Sequence, residues 1–154
     1  MSITGWYHVK TIKTVDEDRQ MVALTPDEYL ESVKKRYEGD PSLARELMQA
    51  KMAACNKIII GEDGMIKTYV PVPENITEEQ KEQAKAAGYE FTDDGYFRPD
   101  PNEGNAWKEE DGKFLYDSKV NGEILGEKQS PWADLLFDGS TVTMSMGLVV
   151  YEKE

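Results

Sequence analysis

Apolar positions along this 154-residue chain follow two periods, and the switches between them set the predicted order of elements. Trp6 to Val15 and Gln20 to Leu24 read as strands around an acidic turn, Asp16-Glu17-Asp18. Thr25 then predicts a helix N-cap, with Pro26 at the first helical position and Glu28 placed to close a capping box. This helix runs to about Tyr37. Tyr29, Leu30, Val33 and Tyr37 have the three-and-four spacing of a core-facing stripe, which leaves Lys34, Lys35 and Arg36 toward solvent. Gly39 stops the helix, and Asp40-Pro41 predicts the cap of a second one. That helix carries Leu43, Leu47, Ala50 and Ala54 on one face with Met48 and Met52 beside it, so the pair reads as a helical hairpin.

After Lys57, Ile58-Ile59-Ile60 and Met65 to Val72 flank an Asp63-Gly64 turn, and Pro71 and Pro73 end the ladder because proline has no N–H to give. Thr77 and Gln80 predict a second capping box, opening a short polar helix that Gly88 stops and that has few apolar residues to bury. From there the pattern is strand and turn. Strands are predicted at Tyr89 to Phe91, Tyr96 to Arg98, Lys113 to Val120, Glu123 to Leu125 and Val142 to Tyr151, with a polar loop from Pro99 to Asn105. The last is read as one strand, because Val142, Met144, Met146, Leu148 and Val150 alternate with smaller or polar residues. Five turn pairs tolerate the positive φ of tight hairpins: Asp63-Gly64, Asp94-Gly95, Asp111-Gly112, Asn121-Gly122 and Asp138-Gly139. The expectation is a single α+β domain over 1–154: an antiparallel, twisted β-sheet, a meander of five to eight strands, with a helical hairpin and one short helix packed on it.

Charge changes this picture more than composition does. The net charge is -12, yet residues 1–57 hold nine acids and nine bases, and residues 58–154 hold 21 acids against nine bases. The first third is charge-balanced and the rest is an acidic β-rich body. The densest stretch is Glu90 to Asp111, where Glu90, Asp93, Asp94, Asp100, Glu103, Glu109, Glu110 and Asp111 face only Arg98 and Lys108. Such a surface repels phosphate backbones, so no direct nucleic-acid binding is expected. Cys55 is the only cysteine, which rules out an intramolecular disulfide, and it closes an Ala-rich helical stretch as a packing residue. With no signal-like start and no apolar run near ~20 residues, the expected setting is cytoplasmic, reducing and away from membranes.

Candidate chemistry is sparse. Pro99-Asp100 followed by Asp111-Gly112-Lys113 resembles the short signature of a large nuclease superfamily, in which two acids hold Mg²⁺ and a lysine positions the attacking water. That resemblance implies a metal-dependent hydrolase built on Asp100, Asp111 and Lys113. Against it, Asp111-Gly112 reads as a hairpin tip, where the signature needs its second acid and lysine along one strand. Asp100 to Asp111 has the length of a calcium loop but not its register, because Gly104, Asn105 and Lys108 stand where ligands or the required glycine belong. His8 is the only histidine, so no multi-histidine metal site can form, and no cofactor or resident metal is expected. Trp107 and Trp132 lie in polar surroundings, each as an anchor packed on the sheet or as an exposed contact.

These features predict a non-catalytic acidic protein that docks on a basic protein partner. The predicted contact residues are Glu90, Asp93, Asp94, Asp100, Glu103, Trp107, Glu109, Glu110 and Asp111. Its most concrete form is an inhibitor of a nucleic-acid-binding protein or nuclease, with carboxylates standing where phosphates would sit; in size and charge the chain is similar to DNA mimics of the phage anti-defence type. The rival expectations are a self-associating virion or assembly subunit and the hydrolase just described.

Overall fold

The computed structural model describes residues 2–98, 102–120, 122–144 and 147–154. Strands β1 (Gly5–Val15) and β2 (Met21–Leu24) are followed by helices α1 (Pro26–Arg36) and α2 (Leu43–Ala54). Next come β3 (Lys57–Ile60), β4 (Met65–Pro71), α3 (Glu78–Ala86) and the hairpin of β5 (Glu90–Phe91) and β6 (Tyr96–Arg98). The remainder is β7 (Asn105–Glu110), β8 (Lys113–Asp117), β9 (Glu123–Ile124), β10 (Glu127–Lys128), β11 (Trp132–Asp134), β12 (Leu136–Phe137), β13 (Thr141–Met144) and β14 (Val149–Lys153).

Twelve of these strands form one antiparallel sheet, ordered β11-β8-β7-β4-β3-β1-β14-β13-β12 with β2, β5 and β6 as side branches. The two ends of that order are the same piece of chain, because only Leu135 separates β11 from β12. β11 pairs with β8 and β12 with β13, while the Leu135 amide donates to the Phe114 carbonyl at 3.0 Å. The sheet therefore closes. Counting β11 and β12 as one bent stave gives eight staves, each beside its successor in the chain: an up-and-down barrel. Closure also explains why the main sheet has more strands than the meander predicted from sequence. Bends cut single staves into short pieces, and β6 and β7 lie end to end along β4 (Val70↔Phe97, Pro71↔Tyr96; Met65↔Ala106, Ile66↔Asn105).

Side chains fill the interior. Tyr7, Val9, Ile58, Ile60, Ile66, Tyr116, Leu135, Val142 and Tyr151 form one buried cluster with Ile3, as the narrow interior of an eight-stave barrel allows. Of its three tyrosines, Tyr7 and Tyr151 hold their hydroxyls in buried hydrogen bonds. Tyr7 Oη donates to the Ile3 carbonyl at 2.5 Å, and Tyr151 Oη donates to Asn56 Oδ1 at 2.8 Å. The Asn56 amide in turn donates to the Met52 and Ala53 carbonyls at 2.9 Å each, which caps the end of α2 and ties it to the barrel. α1 and α2 pack on each other, α1 against β1 and β2, and α2 against β1 and β4. Val33, Ala50 and Ala54 are their buried residues, as the predicted stripes require. The capping boxes at Thr25/Glu28 and Thr77/Gln80 are both present.

Because consecutive staves alternate in direction, their connections alternate between two ends. One end collects the tight turns: β3–β4 at Asp63-Gly64, β7–β8 at Asp111-Gly112 and β12–β13 at Asp138-Gly139. The other collects the insertions: β2 with the helical hairpin, α3 with β5–β6, the β9–β10 hairpin, and the turn at Gly147.

Several sequence expectations need correction. Val142 to Tyr151 is two strands, β13 and β14, paired with each other (Val142↔Tyr151, Thr143↔Val150). Unbroken alternation hid the turn, whose Ser145 and Met146 lie outside the described residues; the Gly147 amide donates to the Met144 carbonyl. Trp107 and Trp132, in polar surroundings where no strand was predicted, lie in strands β7 and β11. The predicted strand from Lys113 ends at Asp117, and the one from Glu123 ends at Ile124, because Leu125-Gly126 is the turn of that hairpin. Asn121 lies outside the described residues. The second helix begins at Leu43 with Ser42 as its N-cap, and Asp40 instead accepts from the Ser42 amide and hydroxyl at 2.8 and 2.7 Å.

Candidate partner-binding surface

The acidic stretch of the sequence is not one surface in the fold. Glu90, Asp93 and Asp94 belong to the β5–β6 hairpin, which pairs with the Val70–Pro71 end of β4, whereas Glu109, Glu110 and Asp111 lie past its Met65 end. Six residue steps, roughly 20 Å of strand, separate these two ends of β4. Asp100 lies outside the described residues. Glu103 is exposed, and its carbonyl accepts from the Arg98 guanidinium.

The two acidic groups also differ in how far they are neutralised. Lys57, 12% exposed, donates to Asp94 Oδ2 at 2.5 Å and Glu154 Oε1 at 2.8 Å, and its ammonium sits 4.8 Å from the Tyr96 ring centroid. Burial works to lower the Lys57 pKa, but its hydrogen bonds to Asp94 and Glu154 outweigh it and hold the pKa above the ordinary value. The same bond from Lys57, helped by one from Thr92, holds Asp94 below the usual carboxylate range. Glu90 accepts from Tyr69 Oη at 2.7 Å and lies 3.6 Å from Arg98. These two acids are committed to the fold. Sequence spacing gave no hint of it, since Lys57 and Glu154 are far from Asp94 along the chain.

At the turn end the carboxylates are freer. Asp111 has φ 53° and Gly112 φ 77°, a hairpin turn closed by Glu110↔Lys113. Glu110 pairs with Lys108 at 2.8 Å, and Asp63 lies 3.9 Å from Lys67. Glu62, Glu109 and Asp111 have no ion-pair partner among the described residues. Asp138 accepts from the Ser140 and Thr141 amides at 3.0 and 2.7 Å, which lowers its pKa to about 2 and keeps it ionised. Inside this ring lies an aromatic floor. Trp107 is half-buried against the core with its indole N–H donating to the Gly61 carbonyl at 2.8 Å. Its ring lies 6.1 Å from Phe114, which meets Phe137 edge-on at 6.0 Å. Trp132 sits on the outer wall under the Lys108 ammonium, 4.2 Å from the ring centroid.

Asp111 sits in the β7–β8 turn and Lys113 opens β8, so the two do not lie along one strand, and Asp100 lies outside the described residues. Among the described residues no three histidine, cysteine, aspartate or glutamate side chains come together as a metal site. His8 stands half exposed on the wall, 3.6 Å from Glu152, which it shares with Lys10. Burial, with Asp27 nearby, pushes the Cys55 thiol up, away from the reactive thiolate. No described helix is long and apolar enough to cross a membrane.

Known protein families, curated proteins and solved structures give no match to this chain. Any functional reading therefore rests on the surface itself.

Proposed function

We propose that the chain is a non-catalytic acidic protein that docks its turn end on a basic protein partner. The observation that supports this is the convergence of three Asp-Gly turns on one end of the barrel, which sequence distance conceals. Glu62, Asp63, Glu109, Glu110, Asp111 and Asp138 ring a rigid aromatic floor, and hairpin turns hold them at fixed spacing. Fixed carboxylates accelerate association with a cationic surface and lose little entropy on docking. A nucleic-acid-binding protein, whose phosphate-binding face is cationic, is the concrete partner class, with carboxylates taking phosphate positions.

The test is capture from a lysate on the immobilised protein, followed by binding kinetics with the captured partner and competition by duplex DNA. Charge reversal at Glu62, Glu109 and Glu110 should slow association and flatten its salt dependence, whereas reversal at Asp93 on the wall should do much less. The partner should be released by DNA. If the rim reversals leave association unchanged, or if the isolated protein itself shifts DNA in a gel, the reading fails.

A further inference from the structure

The barrel wall has a gap along β4. On one side β4 is paired with β3 from Ile66 to Tyr69, but on the other β7 reaches only Met65 and Ile66, and β6 only Val70 and Pro71. Thr68 falls between them. The Gly61 amide donates to the Met65 carbonyl, whereas the Trp107 amide donates to the Gly64 carbonyl and the Val72 amide to the Gly95 carbonyl. Hydrogen-bonding direction alternates along a strand, so Lys67 and Tyr69 turn their backbone groups toward β3, and Thr68 turns its N–H and C=O into the gap. Neither group, nor the Thr68 hydroxyl, has a hydrogen-bond partner among the described residues.

A cavity of about 350 Å³ opens at this gap, lined by Thr68, Arg98, Glu103, Gly104, Asn105 and Lys119. Arg98 is 6% exposed. Its guanidinium donates to the Glu103 carbonyl and lies 3.6 Å from Glu90, contacts that orient it. An arginine has more N–H donors than these contacts use. An added Cβ at Gly104 would lie 3.3 Å from the Ile66 carbonyl oxygen, so glycine lets this segment run tight against β4. Lys119, just past β8, is exposed and has no ion-pair partner among the described residues. Its φ is 59°, and its amide donates to Asp117 Oδ1 at 2.9 Å. Backbone strain at a non-glycine residue concentrates at ligand sites.

We propose that this gap is a binding site for a small carboxylate, held by the Thr68 N–H, the Arg98 guanidinium and the Lys119 ammonium. A planar carboxylate matches the fork of a guanidinium and accepts from a backbone N–H at the same time. Charge sets the class. Glu90 already balances Arg98, and Glu103, the one acid of the described lining, is exposed and presents its carbonyl to Arg98. Lys119 is therefore the cation left to offset a ligand, which suits a single negative charge better than a phosphate dianion. The site uses no residue of the acidic rim.

Titration with sodium acetate against sodium chloride at matched ionic strength, followed by amide chemical shifts, tests the site. Acetate should give saturable shifts at Thr68, Gly104 and Lys119 with a dissociation constant at or below about 10 mM, and chloride should not. Lys119→Gly relieves the left-handed backbone while removing the charge, so it should weaken acetate binding by about tenfold with an unchanged or raised thermal midpoint. Lys119→Arg should retain binding. Arg98→Lys, which keeps a charge but loses the planar fork, should weaken it as well. Shifts that chloride reproduces, shifts that never saturate, acetate binding unchanged in Lys119→Gly, or phosphate binding tighter than acetate would each overturn the proposal. None of these outcomes depends on the rim charges, so the rim's own role is tested separately.

Discussion

Two hairpins of this molecule share a turn geometry and little else. β7–β8 closes through Asp111-Gly112 and β9–β10 through Leu125-Gly126, each with positive φ at both residues. The first is bonded into the barrel on both sides, through β4 and β11, and its inner side chains Trp107, Phe114 and Tyr116 join the core. The second pairs with no other described strand along either edge. Where the barrel supplies the stability, the turn residue is the one the backbone favours and the exposed chemistry is acidic. Where the barrel supplies none, the turn residue opposes the backbone and the exposed chemistry is apolar.

The largest expected contrast is between two leucines. Leu135, 2% exposed at the seam where β11 turns into β12, should cost about 2–5 kcal/mol when cut to alanine, because a cavity opens where the ring closes. Leu125→Ala should leave urea stability at low protein concentration within error. A seam substitution that costs less than about 1 kcal/mol would mean that closure contributes little to the fold.

Alkali should separate the two regions next. Burial pushes the Tyr7, Tyr69 and Tyr151 hydroxyls up to about 12, and Glu90 adds to the effect at Tyr69. An unfolded tyrosine ionises near 10, so the folded state holds these protons more tightly. Their contribution is fully present below about pH 10 and is lost as pH rises toward 12. For Tyr151 alone the shift corresponds to about 2–3 kcal/mol. The barrel, which holds these residues, should unfold cooperatively in that window, while the described arm has no tyrosine to respond. A thermal midpoint that stays flat from about pH 9 to about pH 12, roughly one unit below the ordinary tyrosine value to two above it, would contradict this burial.

Exchanging the turn residues sharpens the comparison further. Asp111→Leu should destabilise by about 1 kcal/mol, since leucine disfavours the left-handed conformation that aspartate accepts. Leu125→Asn should have the opposite sign. Equal and small effects at both sites would show that the arm is too loosely held for its turn to matter.

Much of this fold was legible in the sequence, for physical reasons that also fix where legibility stopped. Helix caps are local hydrogen-bonding devices, so Thr25/Glu28 and Thr77/Gln80 could be read directly, as could the positive φ at Asp63-Gly64 and Asp111-Gly112. Alternation gives a strand its faces but not its length, which is why β13 and β14 read as one. Barrel closure depends on Leu135, an unremarkable residue in sequence, because closure is a property of pairing between distant segments. The acidic rim was hidden for the same reason: Asp63, Asp111 and Asp138 meet through topology, while Glu90 and Asp94, adjacent in sequence to the rest, are drawn to Arg98 and Lys57. Leu125-Gly126 was readable in principle as a two-residue turn between Glu123-Ile124 and Glu127-Lys128, but leucine does not signal a turn.

The smallest effect should come from the rim itself. Glu110 meets Lys108 at 2.8 Å in an exposed pair, and Lys108 keeps its second contact over Trp132 when the carboxylate is removed. Exposed pairs of this kind contribute about 0–1 kcal/mol, so Glu110→Gln should change urea stability by less than about 0.5 kcal/mol. It should still slow association with a cationic partner, because steering depends on the summed charge and not on the pair. A loss near 2 kcal/mol would mean that the rim carboxylates hold the β7–β8 hairpin together. The acidic turns would then be part of the barrel's own stability, and the contrast between a supported hairpin with free charges and an unsupported one with a free apolar tip would disappear.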